Sequence, residues 1–208
     1  MTDFIKPRLY LITPPVADAE AFAPALKAAL AAGDIACVLL RFAPPDEGSR
    51  KKIAKALAPL AQNADAALLV PDDPHLAVRS GADGVHVEGL GEHFVAALES
   101  LKPGRIVGIG GLASRDEAMR AGESEADYLM FGDLEPGGED AAATLERASW
   151  WAELFNVPCV AVAHDPADVE ALARSGAEFV ALGPAFFDNP NVAVAEAQAA
   201  LGRAEAQA

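Results

Sequence analysis

Residues 81–88 read GADGVHVE, and three other stretches share their grammar: GDIACVLL at 33–40, EADYLMFG at 125–132 and GAEFVALG at 176–183. Each places an acid at or just before the start of a short apolar run. The acids are Asp34, Asp83, Asp127 and Glu178, spaced 49, 44 and 51 residues apart. An interval of that size holds two strand–helix units, so the four phrases read as strands two, four, six and eight of one array, and internal repetition at such a period marks a repeated architecture. Outward from them, strands are expected near Arg8–Ile12, Ile35–Arg41, Ala66–Val70, Gly84–Val87, Arg105–Ile109, Tyr128–Phe131, Cys159–Ala163 and Phe179–Leu182. The segments between, such as Asp18–Ala32, Arg50–Gln62 and Ser114–Ala121, are rich in Ala, Leu, Glu and Lys at helical length. Strict alternation implies parallel strands with right-handed crossovers. Eight units in 208 residues predict a compact (β/α)8 TIM barrel, a single domain over 1–208. An open doubly wound sheet is the alternative, but it rarely needs eight such regular units.

A half-barrel echo supports the count. VPDDPHLAVRSGADGVHV (70–87) resembles VAHDPADVEALARSGAEFVAL (162–182). In both, an aspartate precedes a proline, the pattern of a helix N-cap followed by proline at the first helical position. Asp73 and Asp165 are therefore read as caps. Asp72 and His164 stand one residue earlier, at the C-terminal ends of strands three and seven, where barrel active sites lie.

The strand ends together supply Thr13, Arg41, Asp72, His86 with Glu88, Gly110-Gly111, Gly132-Asp133, His164 and Gly183. Period-two alternation puts Gly84, His86 and Glu88 on one face of the fourth strand, with Val85 and Val87 on the other. Asp72, Glu88, His86 and His164 could bind a divalent ion or run acid–base chemistry; a hydrogen-bonded polar plug in the barrel top is the competing reading. Arg41 is the only Lys or Arg at a strand's C-terminal end. It suits carboxylate or phosphate recognition, or an ion pair with a neighbouring strand-end acid. GIGGLASRDEA (108–118) offers a glycine turn at Gly110-Gly111, with Ser114 and Glu117 as a capping box, and such turns can cradle phosphate. Gly183 closes the eighth strand in the same manner. EPGGED (135–140) reads as a lid or as a solvated connection. His75 and His93 read as helix-surface residues.

The balance of 16 Lys and Arg against 31 Asp and Glu gives a formal charge of −15. That excludes the cationic surface that nucleic acid or an anionic membrane requires. Any anionic substrate must be held by a few local donors or a metal ion. No apolar run approaches the ~20 residues of a spanning helix, and MTDFIKPRLY lacks a signal-peptide core, so a soluble cytoplasmic protein is expected. Cys37 and Cys159 sit inside apolar runs and read as buried free thiols.

RLYLITPP (8–15), VLLRF (38–42), LLVPDDPHLAVRSGADGVHV (68–87), IVGIGGLASRDEAMRAGESEADYLMFG (106–132) and the closing GAEFVALG together resemble the thiamine phosphate synthase family and its thiazole tautomerase relatives, from about Arg8 to Ala185. The resemblance implies the same barrel and a reaction joining a hydroxymethylpyrimidine diphosphate to a thiazole phosphate, with Mg2+ on the leaving pyrophosphate. It implies that Arg41 contacts the diphosphate, that Asp72 is one Mg2+ ligand, and that the assembly is a homodimer. Other positions depart from the family pattern. The family's Asn-Asp pair is Pro71-Asp72 here, and the lysine expected after Arg41 is missing from Phe42-Ala43-Pro44-Pro45. The second metal aspartate falls at Gly91, leaving Glu88 and Glu92 as displaced substitutes. The fifth-strand serine falls at Gly110, and the sixth-strand loop reads DLEPGGED in place of threonines and a lysine. The Gly-Gly of the thiazole phosphate site is Ala163-His164, and the tautomerase histidine falls near Leu112. Each lost contact to a developing pyrophosphate commonly removes several kcal/mol, and every 1.36 kcal/mol is tenfold in rate. The resemblance thus predicts a family member whose synthase activity is weak or absent. The alternatives are a ligand-binding or regulatory paralogue for a small phosphorylated or heterocyclic ligand, and a different enzyme built on the Asp/His/Glu cluster. The expected site comprises Arg41, His86 and His164 as catalytic side chains, Arg41, Gly110, Gly111 and Gly183 on substrate, and Asp72 with Glu88 on Mg2+.

Overall fold

The acids of the repeat are clasps between neighbouring strands. In the computed structural model, which describes residues 6–43 and 46–206, Asp83 accepts the Leu68 N–H at 2.8 Å, Asp127 the Val107 N–H at 2.7 Å, and Glu178 the Cys159 N–H at 2.8 Å. Asp34 does the same work on a side chain, taking Arg8 Nε at 3.0 Å and Nη2 at 2.8 Å. Each carboxylate thereby ties the start of an even strand to the start of the preceding odd one, filling a donor that the ladder leaves open.

The strands so paired are β1 (Arg8–Val16), β2 (Ile35–Phe42), β3 (Ala67–Pro71), β4 (Gly84–Glu88), β5 (Ile106–Gly110), β6 (Tyr128–Phe131), β7 (Cys159–Ala163) and β8 (Phe179–Leu182). They close in sequence order into an all-parallel barrel, β8 returning to β1. The helices between them are α1 (Ala19–Ala32), α2 (Glu47–Gln62), α3 (Pro74–Ser80), α4 (Glu92–Leu101), α5 (Arg115–Gly122), α6 (Ala141–Leu154), α7 (Val169–Ala173) and α8 (Pro190–Ala206). Asp18, Asp73, Ser114 and Asp140 each cap the helix that follows by accepting a backbone N–H, as does Asp165 for the short 3-10 turn Pro166–Asp168. Glu117 completes a reciprocal contact, although it takes the N–H of Ala113 at 2.7 Å rather than that of Ser114.

The strand boundaries agree with the sequence expectation to within a residue or two except in β1, which runs on to Val16. Pro14 and Pro15 donate nothing to a ladder, so the pairing with β2 slips between Ile12 and Pro15. Thr13 repairs it: its buried hydroxyl accepts the Arg41 N–H at 2.9 Å.

Alternation sorts the side chains. Val85 and Val87 face outward, in one large cluster with Leu9, Leu11, Val38, Leu40 and the helices. The barrel interior is a second cluster of Tyr10, Ile12, Cys37, Leu39, Leu69, Tyr128, Met130, Val160, Val162 and Ala181. Burying a Leu or Val side chain contributes about 1.5–3 kcal/mol. Cys37 and Cys159 are buried free thiols. Among the described residues no helix is long and apolar enough to cross a membrane. Pro44 and Pro45, which interrupt the expected lysine position, lie outside the described residues.

Candidate active site

The C-terminal end of β4 carries the most structured polar group in the molecule. His86 is 1% exposed. Its Nδ1 lies 2.8 Å from the Tyr128 hydroxyl and its Nε2 lies 2.8 Å from Glu88 Oε1. Tyr128 in turn meets the Tyr10 hydroxyl at 2.9 Å. Burial raises the pKa of both phenols, so both stay protonated. The competing plug reading therefore describes His86, while Glu88 emerges from the plug with an exposed carboxylate. Two glycines of β5 make the room. A Cβ on Gly108 would overlap the Tyr128 ring, and one on Gly110 would stand 2.7 Å from Glu88 Oε1 and 2.9 Å from His86 Nε2.

Asp72 stands beside Glu88. Its N–H joins the His86 carbonyl at 3.0 Å, and its Oδ1 receives the Glu88 N–H at 3.4 Å. Its φ of 53° is left-handed, uncommon for a residue other than glycine and shared here with Asp65 at φ 57°. A cavity of about 540 Å3 opens next to it, lined by Phe42, Arg50, Asp73, His75 and His93.

Arg41 reaches from the end of β2 to the β6–α6 loop, where it pairs with Glu135. Only 17% of its side chain is exposed, and its buried Nη1 has no hydrogen-bond partner among the described residues. The loop is tied at several points: Asp133 accepts the Glu139 N–H, Glu139 takes Arg147 Nη1 at 2.9 Å, and Asp140 caps α6.

His164 stands elsewhere. β3 and β7 are diametrically opposed in a ring of eight, so His164 faces Asp72 from across the mouth: His164 Nε2 lies 2.9 Å from the Asp133 carbonyl, and its ring fills the space above Gly183. Among the described residues no group of three or more His, Cys, Asp or Glu forms a metal cage. Gly183 spends its own N–H on the Ala163 carbonyl at 2.9 Å. A cavity of about 400 Å3 beside His164 is lined by Asp133, Glu139, Asp140, Asp165 and Asp168.

Tyr10 and Tyr128 escaped the reading of strand ends because they enter the site from below, on inward-facing positions that look like core. Glu135 escaped because a loop acid carries no period. Arg50 carried no signal beyond a helix position.

Eight-stranded parallel barrels that are enzymes place their chemistry at the C-terminal end, the end at which Arg41, Asp72 and Glu88 lie here. A family model described as thiamine monophosphate synthase matches residues 9–186. The thiamine-phosphate synthase of Rhodospirillum centenum is 41% identical over 187 residues, 88% of this chain and 90% of that protein, and the one of Hyphomonas neptunium is 34% identical, covering 93% and 95%. The chain belongs to the thiamine phosphate synthase family. In fold it is similar to a thiamine phosphate pyrophosphorylase from Pyrococcus furiosus, with a TM-score of 0.79 at 23% identity over 96% of this chain and 98% of that one. A 3-hexulose-6-phosphate synthase aligns at a TM-score of 0.70 and 18% identity over 92% and 99%.

Proposed function

We propose that this chain is a cytoplasmic thiamine phosphate synthase homologue that still engages the pyrimidine diphosphate but turns it over slowly. The observation that carries the reading is Arg41, whose guanidinium is mostly buried at the mouth with Nη1 lacking an acceptor among the described residues. A buried donor without a partner costs about 1–3 kcal/mol, more when charged, and a diphosphate oxygen relieves it. Mg2+ suits the neighbouring carboxylates. It is usually held by one or two carboxylates plus substrate phosphates, with no need for a full protein cage, and Asp72 and Glu88 supply that number from neighbouring strand ends, the Glu88 N–H reaching Asp72 Oδ1. Bound there, the ion would neutralise charge on the departing pyrophosphate.

Slow turnover follows from what surrounds these groups. Glu135 competes with the diphosphate for Arg41. Asp133, Glu139 and Asp140 stand on the loop where the family pattern has threonines and a lysine. On the acceptor side, Asp165 already holds the Ala167 N–H and Ala163 the Gly183 N–H, so backbone donors that would cradle a thiazole phosphate are taken. That last observation favours a second reading, a paralogue that binds ligand without joining the two halves.

One assay separates the readings. The purified protein is incubated with hydroxymethylpyrimidine diphosphate, thiazole phosphate and Mg2+, and thiamine phosphate is quantified. Slow product formation, abolished in Arg41→Ala and Asp72→Ala, supports the synthase. Turnover at the usual enzyme median of about 10 per second removes the slow-enzyme reading. No product, with a raised melting temperature on adding the diphosphate alone, selects the binding paralogue.

A further inference from the structure

With a neutral imidazole at His86, the hydrogen bonds in the barrel interior have one consistent direction. Glu88 Oε1 is a carboxylate oxygen and can only accept, so His86 Nε2 carries the proton of that 2.8 Å contact. In a neutral imidazole Nδ1 is then bare and accepts from Tyr128 at 2.8 Å. Tyr128 has spent its single proton, so the 2.9 Å contact with Tyr10 must be donated by Tyr10. The donors line up from the floor of the barrel to its mouth.

We propose that Tyr128 and Tyr10 are positioning residues, whose hydroxyls lock His86 as its Nε2–H tautomer and so fix the Glu88 carboxylate at the mouth with Oε2 free for a ligand. This rests on Glu88 being the second carboxylate of the metal-binding pair. The packing is specific to that task. The Tyr128 ring lies near-parallel to the imidazole, at 5.7 Å and 15°, in the space that Gly108 leaves open. Gly110 clears the volume in which Nε2 and Oε1 meet. An imidazole anchored through its far nitrogen is the usual way a protein orients the group on its near one, and losing such an anchor costs metal sites 10- to 100-fold in affinity.

The test pairs a spectroscopic readout with a binding one. Two-bond 1H–15N correlation spectra of the labelled protein report the protonation of each ring nitrogen. His75, His93 and His164 are assigned from their own glutamine variants, leaving His86 as the fourth histidine. The expected wild-type pattern for His86 is a protonated Nε2 and a bare Nδ1. In Tyr128→Phe the Nδ1 resonance moves and affinity for Mn2+ alone falls on the order of tenfold; in Tyr10→Phe the tautomer stays and affinity falls less. A wild-type His86 protonated at Nδ1, alone or on both nitrogens, overturns the proposed direction. Unchanged Mn2+ affinity in Tyr128→Phe overturns the positioning role. If the wild type binds no Mn2+, the metal-pair reading fails and the positioning role falls with it, while the tautomer still decides whether the chain of donors runs as drawn. Neither readout depends on synthase turnover.

Discussion

The two ends of the barrel use acids in opposite ways. At the N-terminal end Asp34, Asp83, Asp127 and Glu178 recur once per two strands, and each meets a donor on the preceding strand. At the C-terminal end Asp72, Glu88, Asp133 and Glu135 follow no period. Glu88 and Glu135 meet His86 and Arg41, and Asp72 sits in a left-handed backbone. A periodic acid belongs to the architecture: Asp83, Asp127 and Glu178 each take an open N–H near the start of the preceding strand, and Asp34 takes the Arg8 side chain there. An acid that occurs once answers something that is present once, here His86 for Glu88 and Arg41 for Glu135.

If that division is right, changes near the strand starts alter stability and changes at the mouth alter binding. The largest effect is expected for Gly84→Ala, whose Cβ would collide with the Ile106 carbonyl. Urea unfolding should show about 3 kcal/mol lost or more, because the obstacle is backbone and cannot turn aside. Next comes Asp127→Ala, which strands the Val107 N–H and removes the partner of Lys102 at 2.6 Å. A loss of about 1–3 kcal/mol is expected by the same measurement. Arg41→Ala should reverse the pattern. Stability stays within about 1 kcal/mol, since an unpartnered donor leaves together with its ion pair, while titration calorimetry with Mg2+–pyrophosphate shows binding lost. Should Arg41→Ala destabilise more than Asp127→Ala, the division between the ends fails.

The smallest effect belongs to Arg8 and Asp34, an exposed pair worth no more than about 1 kcal/mol. The Arg8 hydrogen bond outweighs a weak burial penalty and holds Asp34 below its ordinary 3.8. Its contribution is therefore complete above that pH and drains as pH falls through the lowered value. Comparing wild type with Asp34→Asn across that range should show the difference shrinking toward acid.

The barrel was legible because its signals are periodic. Strand starts, caps at Asp73 and Asp165, and the outward faces of Val85 and Val87 all repeat or alternate, and repetition survives without knowledge of the third dimension. The mouth was legible only one residue at a time. Position at a strand end picked out Arg41, Asp72 and Glu88, but it also grouped His164 with them. Sequence order shows that a residue lies at the mouth and leaves open which neighbours it faces across it. The partners of His86 were hidden for a related reason: Tyr10 and Tyr128 are 118 residues apart and meet only inside the closed barrel.

Gly110 also bears on how this chain came to differ from its relatives. Where the family resemblance places a serine, any side chain now would run into Glu88 Oε1 and His86 Nε2. Restoring that serine alone would break the arrangement above it, and removing Glu88 alone would leave His86 Nε2–H without an acceptor. The two positions are epistatic. A serine at 110 and Glu88 in its present place compete for one volume, so exchanging either is expected to call for an adjustment at the other.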